Sequence, residues 1–327
     1  MFHLTPIKTA TVVILLLGLA AYAVFGGYFA RELVVQIAIL AILAISLDMI
    51  AGYGGMVSLC HGAILGLGAY AFAIVNVLLD GPPFLGLVFA MVIAAVFGAA
   101  VGAVTSRTRG IFFIMATLAF GQMLYVMIFD SKTLGGDDGL WGLSRLDISA
   151  VGIDLNDGLQ FAIFCLFCLA LTFAAASIIL RSAFGRTLCG IHENEDRMRA
   201  LGITVWKFKS AAFGLSGAFA GLAGALAAQH TMFVSPELVV WTGSGEALVV
   251  VILGGLGTLV GPIVGAGSLV FLKHFVGGFT NYWHLIIGLI LIVTVVSGKR
   301  GIYGIIETIF AARRAKTSPK DPEQADA

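Results

Sequence analysis

Apolar stretches long enough to cross a bilayer constrain a chain more than any other feature, and in these 327 residues they recur near 10–30, 33–50, 58–79, 84–105, 111–129, 158–180, 208–232, 239–256, 259–279 and 281–297. A spanning helix needs about 20 mainly apolar residues for a hydrocarbon layer of roughly 30 Å. No water is present there to satisfy the backbone, so such segments must be helical. The expected fold is an all-α, polytopic membrane bundle of about ten transmembrane helices. Only Gly254, Gly255, Gly257, Gly261 and Pro262, with scarcely a polar residue, separate the eighth run from the ninth. The count therefore holds to within one, and this stretch reads as a helix break or re-entrant element.

Composition agrees with a membrane fold. At 59% apolar and 11% charged residues, a soluble domain could not cover its own surface. The 42 glycines suit membrane helices, which use small residues to bring backbones together. A formal charge of +1 gives no reason to expect nucleic acid. Cys60, Cys165 and Cys168 lie inside apolar runs and read as packing residues. The C-x-x-C of Cys165 and Cys168 lacks the second ligand pair a zinc site needs, so no metal is expected. Lys8 and the small residues Ala21 to Ala23 imitate a signal peptide. Another span follows from Leu33 and the leading region holds a single lysine, so the first run is expected to remain an uncleaved helix.

The distribution of charge sets the orientation. Under ten crossings, Arg107 and Arg109, the group Arg181, Arg186, Arg197, Arg199, Lys207 and Lys209, and the group Lys299, Arg300, Arg313, Arg314, Lys316 and Lys320 fall on one side. Short basic loops are retained in the cytoplasm, which makes that side cytoplasmic. The loop 130–157 carries Asp130, Asp137, Asp138, Asp147, Asp154 and Asp157 against Lys132 and Arg145, and is expected to face outward. Both termini are thus placed inside: 1–9 as a cytoplasmic N-terminus, 10–298 as the transmembrane domain and 299–327 as a cytoplasmic, partly disordered tail.

A bare connection between two helices needs only a few residues, so the cytoplasmic loop 182–207 must hold structure of its own. Leu188, Ile191, Met198 and Leu201 fall on one helical face, with Glu193, Asn194, Glu195, Asp196, Arg197 and Arg199 mostly elsewhere and Gly202 as a stop. The expected element is a short amphipathic helix with an apolar edge that can dock on the bilayer, on this chain's own helix ends or on a partner.

The run Gly185, Arg186, Leu188, Ile191, Glu193, Asn194, Glu195, Arg197, Ala200, Leu201 and Gly202 resembles the cytoplasmic-loop motif of permease subunits of branched-chain amino acid ABC importers. The similarity continues through Ala212 to Gly224, Ser244 to Glu246 and Leu253 to Ala266, and upstream through Gly52 to Tyr70, Arg109 with Gly110, Thr117 to Gln122 and Gly135 to Leu140. It covers roughly residues 40–305. The resemblance implies a non-catalytic subunit in the bacterial inner membrane that forms half of a translocation path. It implies as partners a second related permease, two cytoplasmic subunits that bind ATP–Mg and hydrolyse it, and an external solute-binding protein. It further implies that 185–202 couples to the ATPase, with Leu188, Ile191 and Leu201 as packing contacts and Glu193, Glu195 and Arg197 as polar ones.

The chain itself carries no phosphate-binding loop. Gly-x-x-x-x-Gly-Lys-Ser/Thr is absent, and Pro262 follows the glycine cluster ending at Gly261 where the lysine would stand. Ionisable or polar residues at membrane depth are costly and therefore mark candidate path or gating positions: Asp48, Ser58, His61, Gln122 and Glu246. His61 has a bracing role as its competing reading, Glu246 a capping role at the start of its span, and Asp48 stands where the resembling family more often has Asn. Lys273 is expected to snorkel. The alternative reading is a stand-alone secondary transporter or channel for a small solute such as urea or an amino acid, because Gly-broken helices in two halves occur there as well.

Overall fold

The computed structural model describes residues 6–146 and 154–278 and, beyond them, isolated positions such as 285, 289, 301 and 304. The predicted span 281–297 as an element, the tail 299–327 and Asp147 lie outside the described residues. Among the described residues eleven α-helices follow one another: α1 Pro6–Phe25, α2 Gly27–Ala51, α3 His61–Ala73, α4 Pro83–Thr105, α5 Ile111–Phe129, α6 Gly158–Arg181, α7 Ala183–Glu193, α8 Glu195–Ala200, α9 Val205–Thr231, α10 Trp241–Gly254 and α11 Gly261–Gly277. A π-helical turn, Ile74–Leu78, prolongs α3. Leu140–Trp141 and Phe233–Val234 form a two-stranded antiparallel ladder, β1 and β2.

Six of these helices, counting α3 with its π turn, are long and apolar enough to cross a membrane. Their outer faces carry residues such as Val92, Val96, Phe112, Met115 and Phe167, exposed as only a lipid solvent permits. The chain is an all-α, multi-pass membrane protein. α9 lies at its centre, packed through glycines. Gly221 faces both Gly68 of α3 and Ala90 of α4, Gly217 faces Ala94, and Gly98 faces the carbonyl of Phe213. A methyl group at any of these points would meet backbone, which is why small residues occupy them.

Most predicted spans fall within a few residues of helices, and three local readings change. The first break lies at Gly26–Gly27, not at Arg31–Glu32: α1 ends at Phe25, Gly27 at φ +30° opens α2, and Arg31 lies inside α2, 3.8 Å from Asp157. The helix expected over 185–202 is two helices, because Asn194 leaves the helical region (φ −157°, ψ 98°) and caps α8 by accepting from the Arg197 N–H at 2.9 Å. Gly202, at φ +82°, closes the pair as expected of a left-handed stop. Gly254, Gly255, Gly257, Gly261 and Pro262 form the tight connection between α10 and α11, in which Gly254 lies against the Gly261 carbonyl. The second discontinuity comes earlier, where the chain leaves α9 and passes β2 and a 3-10 turn, Pro236–Val239, before α10 begins.

Candidate functional site

Three polar regions are stacked along the bundle. In the middle, segment 52–60 rises from the end of α2 without helical structure and delivers the first turn of α3 to the centre. His61 is fully buried there, with Nε2 2.7 Å from Ser216 Oγ, near the midpoint of α9, and Nδ1 3.3 Å from Ser58 Oγ. Ser216 spends its hydroxyl proton on the Ser46 carbonyl (2.6 Å), so it accepts from His61, which fixes the proton on Nε2. Leu59 N–H donates to Thr117 Oγ1 of α5 (3.2 Å), and Gly62 N–H donates to Ser244 Oγ of α10 (2.7 Å). The backbones of Gly62 and Gly243–Ser244 are in direct contact, which no side chain at residue 62 would allow.

The first turns of α3 and α10 therefore meet near the bundle's centre and run away from each other. α3 leads toward the end where Asn76 holds Ser144 (2.9–3.1 Å), and α10 toward the end where the 255–260 connection lies. Helix N-termini carry partial positive charge, and here two of them converge at mid-depth.

At the second region, Asp48 near the end of α2 is buried. Its Oδ1 accepts from Gly257 N–H (2.6 Å) and its Oδ2 from Leu259 N–H (3.1 Å), holding a turn in which Gly257 and Leu259 have positive φ. Such a cradle of N–H groups suits a carboxylate.

The third region is a cleft of about 470 Å³ between segment 54–57, the 108–110 loop and helices α7 and α8, with Gly55, Arg109, Phe113, His192, Asn194 and Lys209 among its walls. Glu195 is its electrostatic centre. It binds Lys209 Nζ (2.9 Å), Arg109 Nε (3.0 Å) and Arg199 Nη2 (2.6 Å), while Asp196 takes Arg109 Nη2 (3.2 Å). Partial burial opposes ionisation of Glu195, but the Lys209 and Arg199 hydrogen bonds and the neighbouring positive charges outweigh it and hold the carboxyl below its usual value.

The structure thus separates the predicted residues. Ser58 and His61 share one network, Asp48 serves a turn, and Gln122 lies on the exposed face of α5. Glu246 reaches Lys273 at 3.6 Å, so that lysine has a carboxylate beside it. In the 182–207 loop Leu188 and Ile191 are buried, Leu188 against Gly54, and Glu195 is turned inward; Glu193, Arg197 and Leu201 remain exposed. Sequence reading did not single out Lys209, Gly55 and Thr117 as site residues. The opposite charges of Glu195 and Lys209 flanking Gly202 were the available signal for the first.

A helical bundle that spans lipid and carries a broken helix in each half, with the breaks meeting at mid-depth, is the architecture of a membrane transport protein. The sequence narrows the class. The chain belongs to the family of branched-chain amino acid transport system permease components, whose model matches residues 29–295. It is 28% identical over 283 residues to the high-affinity branched-chain amino acid transport system permease protein LivM of Salmonella typhimurium, covering 80% of this chain and 67% of that protein. The probable branched-chain amino acid transport permease protein LivM of Methanocaldococcus jannaschii is 26% identical over 215 residues, 62% of this chain and 61% of its own. The autoinducer 2 import system permease protein LsrC of Klebsiella pneumoniae is 36% identical over 107 residues, 30% of each chain. No solved structure matches the chain.

Proposed function

We propose that this protein is the non-catalytic permease subunit of an ATP-driven importer in the bacterial inner membrane, lining half of the path for branched-chain or related amino acids. A second related permease supplies the other half, two cytoplasmic subunits bind and hydrolyse ATP–Mg, and an external binding protein delivers the solute. The observation that carries this reading is the α7–α8 pair. α7 buries Leu188 and Ile191 inward and lies against segment 54–57, where the His192 ring meets Gly55, while Arg197 and Leu201 face outward. A motor bound to the outer face of α8 would move α7, and with it the segment that carries the first turn of α3. Solute released at mid-depth meets few charged groups, as suits apolar amino acids whose selection belongs to an external protein.

The test is ATPase activity and radiolabelled leucine uptake in liposomes holding this chain and its partner subunits. Arg197→Glu with Leu201→Asp is expected to lower stimulation by loaded binding protein at least tenfold, the effect of about 1.4 kcal/mol of lost docking energy. Uptake that survives inactivation of the partner's ATP site would refute an ATP-driven role and favour an ion-coupled carrier.

A further inference from the structure

We propose that the cytoplasmic ends of α6 and α9 form a binding site for the phosphate headgroup of an anionic phospholipid. Along α6 the apolar exposed positions are Ile163, Phe167, Leu171, Ala174 and Ile178, a helical stripe of the kind that suits acyl chains. The next position on the same stripe is Arg181, also exposed. α9 repeats the pattern in the other direction, with Leu215 and Ala211 leading down to exposed Lys207. Both stripes therefore change from apolar to cationic at the depth where their spans end.

The two ends are joined. Arg186, one turn into α7, donates through Nη1 to the Arg181 carbonyl at 2.8 Å, which sets its guanidinium beside the end of α6. Phe184 and Phe208 stack with ring centroids 5.6 Å apart, and Lys207 Nζ lies 5.8 Å from the ring of half-exposed Trp206. Arg181, Arg186 and Lys207 make no ion pair among the described residues, unlike Arg109, Arg199 and Lys209, which bind Glu195. Three cations without a carboxylate, an aromatic stack at interface height and an apolar stripe leading away match a lipid in each part: phosphate at the cations, glycerol at the aromatics, acyl chain on the stripe. An acidic protein surface would satisfy the cations but not the stripe.

The experiment uses the full chain in vesicles of phosphatidylcholine alone or with phosphatidylglycerol, followed by detergent extraction and mass spectrometric measurement of retained lipid. The wild-type chain is expected to retain phosphatidylglycerol in preference to phosphatidylcholine. Each arginine changed to glutamine, R181Q or R186Q, is expected to weaken that retention roughly fivefold, and both together roughly 25-fold, from about 1 kcal/mol per cation near the surface. Lysine at both positions should preserve it, and R197Q on α8 should not affect it. Absence of a preference in the wild-type chain would overturn the proposal even if a variant failed to fold. So would unchanged retention in the double glutamine variant; if that variant in addition loses its hold on the ATPase subunits, the patch is a protein-docking surface.

Discussion

A carboxylate buried in a membrane bundle is expensive unless donors surround it, and at Asp48 the donors are the N–H groups of Gly257 and Leu259. Asp48→Ala would leave both without an acceptor, at about 1–3 kcal/mol each. Asp48→Asn keeps one oxygen and turns an NH₂ toward the other N–H, so its loss should fall between wild type and Ala. Thermal unfolding of the purified chain in detergent measures the order, and an unshifted midpoint for Asp48→Ala would show that the turn does not depend on this side chain. The sequence marked Asp48 as a buried charge but left its role open, because its partners lie 209 and 211 positions away and are backbone N–H groups, which no side chain announces. His61 was legible for the same reason and incomplete in the same way. Its local partner Ser58 is three residues away, whereas Ser216 is 155 away.

The elements were legible where polar residues bound them. α5 matches its predicted span because Arg109 and Asp130 flank it, and the α1–α2 boundary was misplaced because Gly26–Gly27 breaks a helix without a charge. The discontinuity before α10 escaped notice because residues 233–238 read as a plain connection between the runs 208–232 and 239–256, whereas the chain there passes back beside Gly66 of α3 before α10 begins. The α7–α8 clamp gives two predictions at this scale. Lys209 and Glu195 are each nearly buried, with side chains 7% and 10% exposed, so Lys209→Met alone should cost about 3 kcal/mol while Lys209→Met with Glu195→Met costs much less. Limited proteolysis at 190–204 reads the difference, and equal cleavage of the single and double variants would deny the coupling. Glu195 is held below its ordinary pKa, so its ionised form favours the folded loop. That contribution is present in full above the usual carboxylate range, near pH 4–5, and disappears as pH falls through the lowered value. Amide exchange in α8 should therefore be flat with pH, after correction for intrinsic rates, from 8 to about 5 and rise below about 4. In Glu195→Gln it should be fast throughout, and a wild-type rise centred near pH 6–7 would point to a histidine instead.

For the whole molecule, under the proposed transport role, opposed half-helices meeting at the centre would serve as a gate, because moving one first turn would part them without breaking a membrane-facing hydrogen-bond ladder. α5 is the element best placed to move. It touches the bundle through a single stripe, Phe113, Thr117, Gly121, Leu124 and Ile128, and its other side is exposed along its length. Where that stripe meets α3, a Cβ at Gly121 would lie 3.5 Å from the Ala63 Cβ, within disulfide range. Gly121→Cys with Ala63→Cys should thus form a bridge on mild oxidation, and the chain must carry Cys60→Ala, since the Cys60 Cα lies 3.8 Å from the same point. If transport requires α5 to part from the first turn of α3, the oxidised protein should lose uptake by tenfold or more, about 1.4 kcal/mol or greater on the transport step. Reductant should restore it, with basal ATP hydrolysis by the partners unchanged. Full uptake with complete cross-linking would mean that α3 and α5 travel as one body and that the path opens on another face of α3.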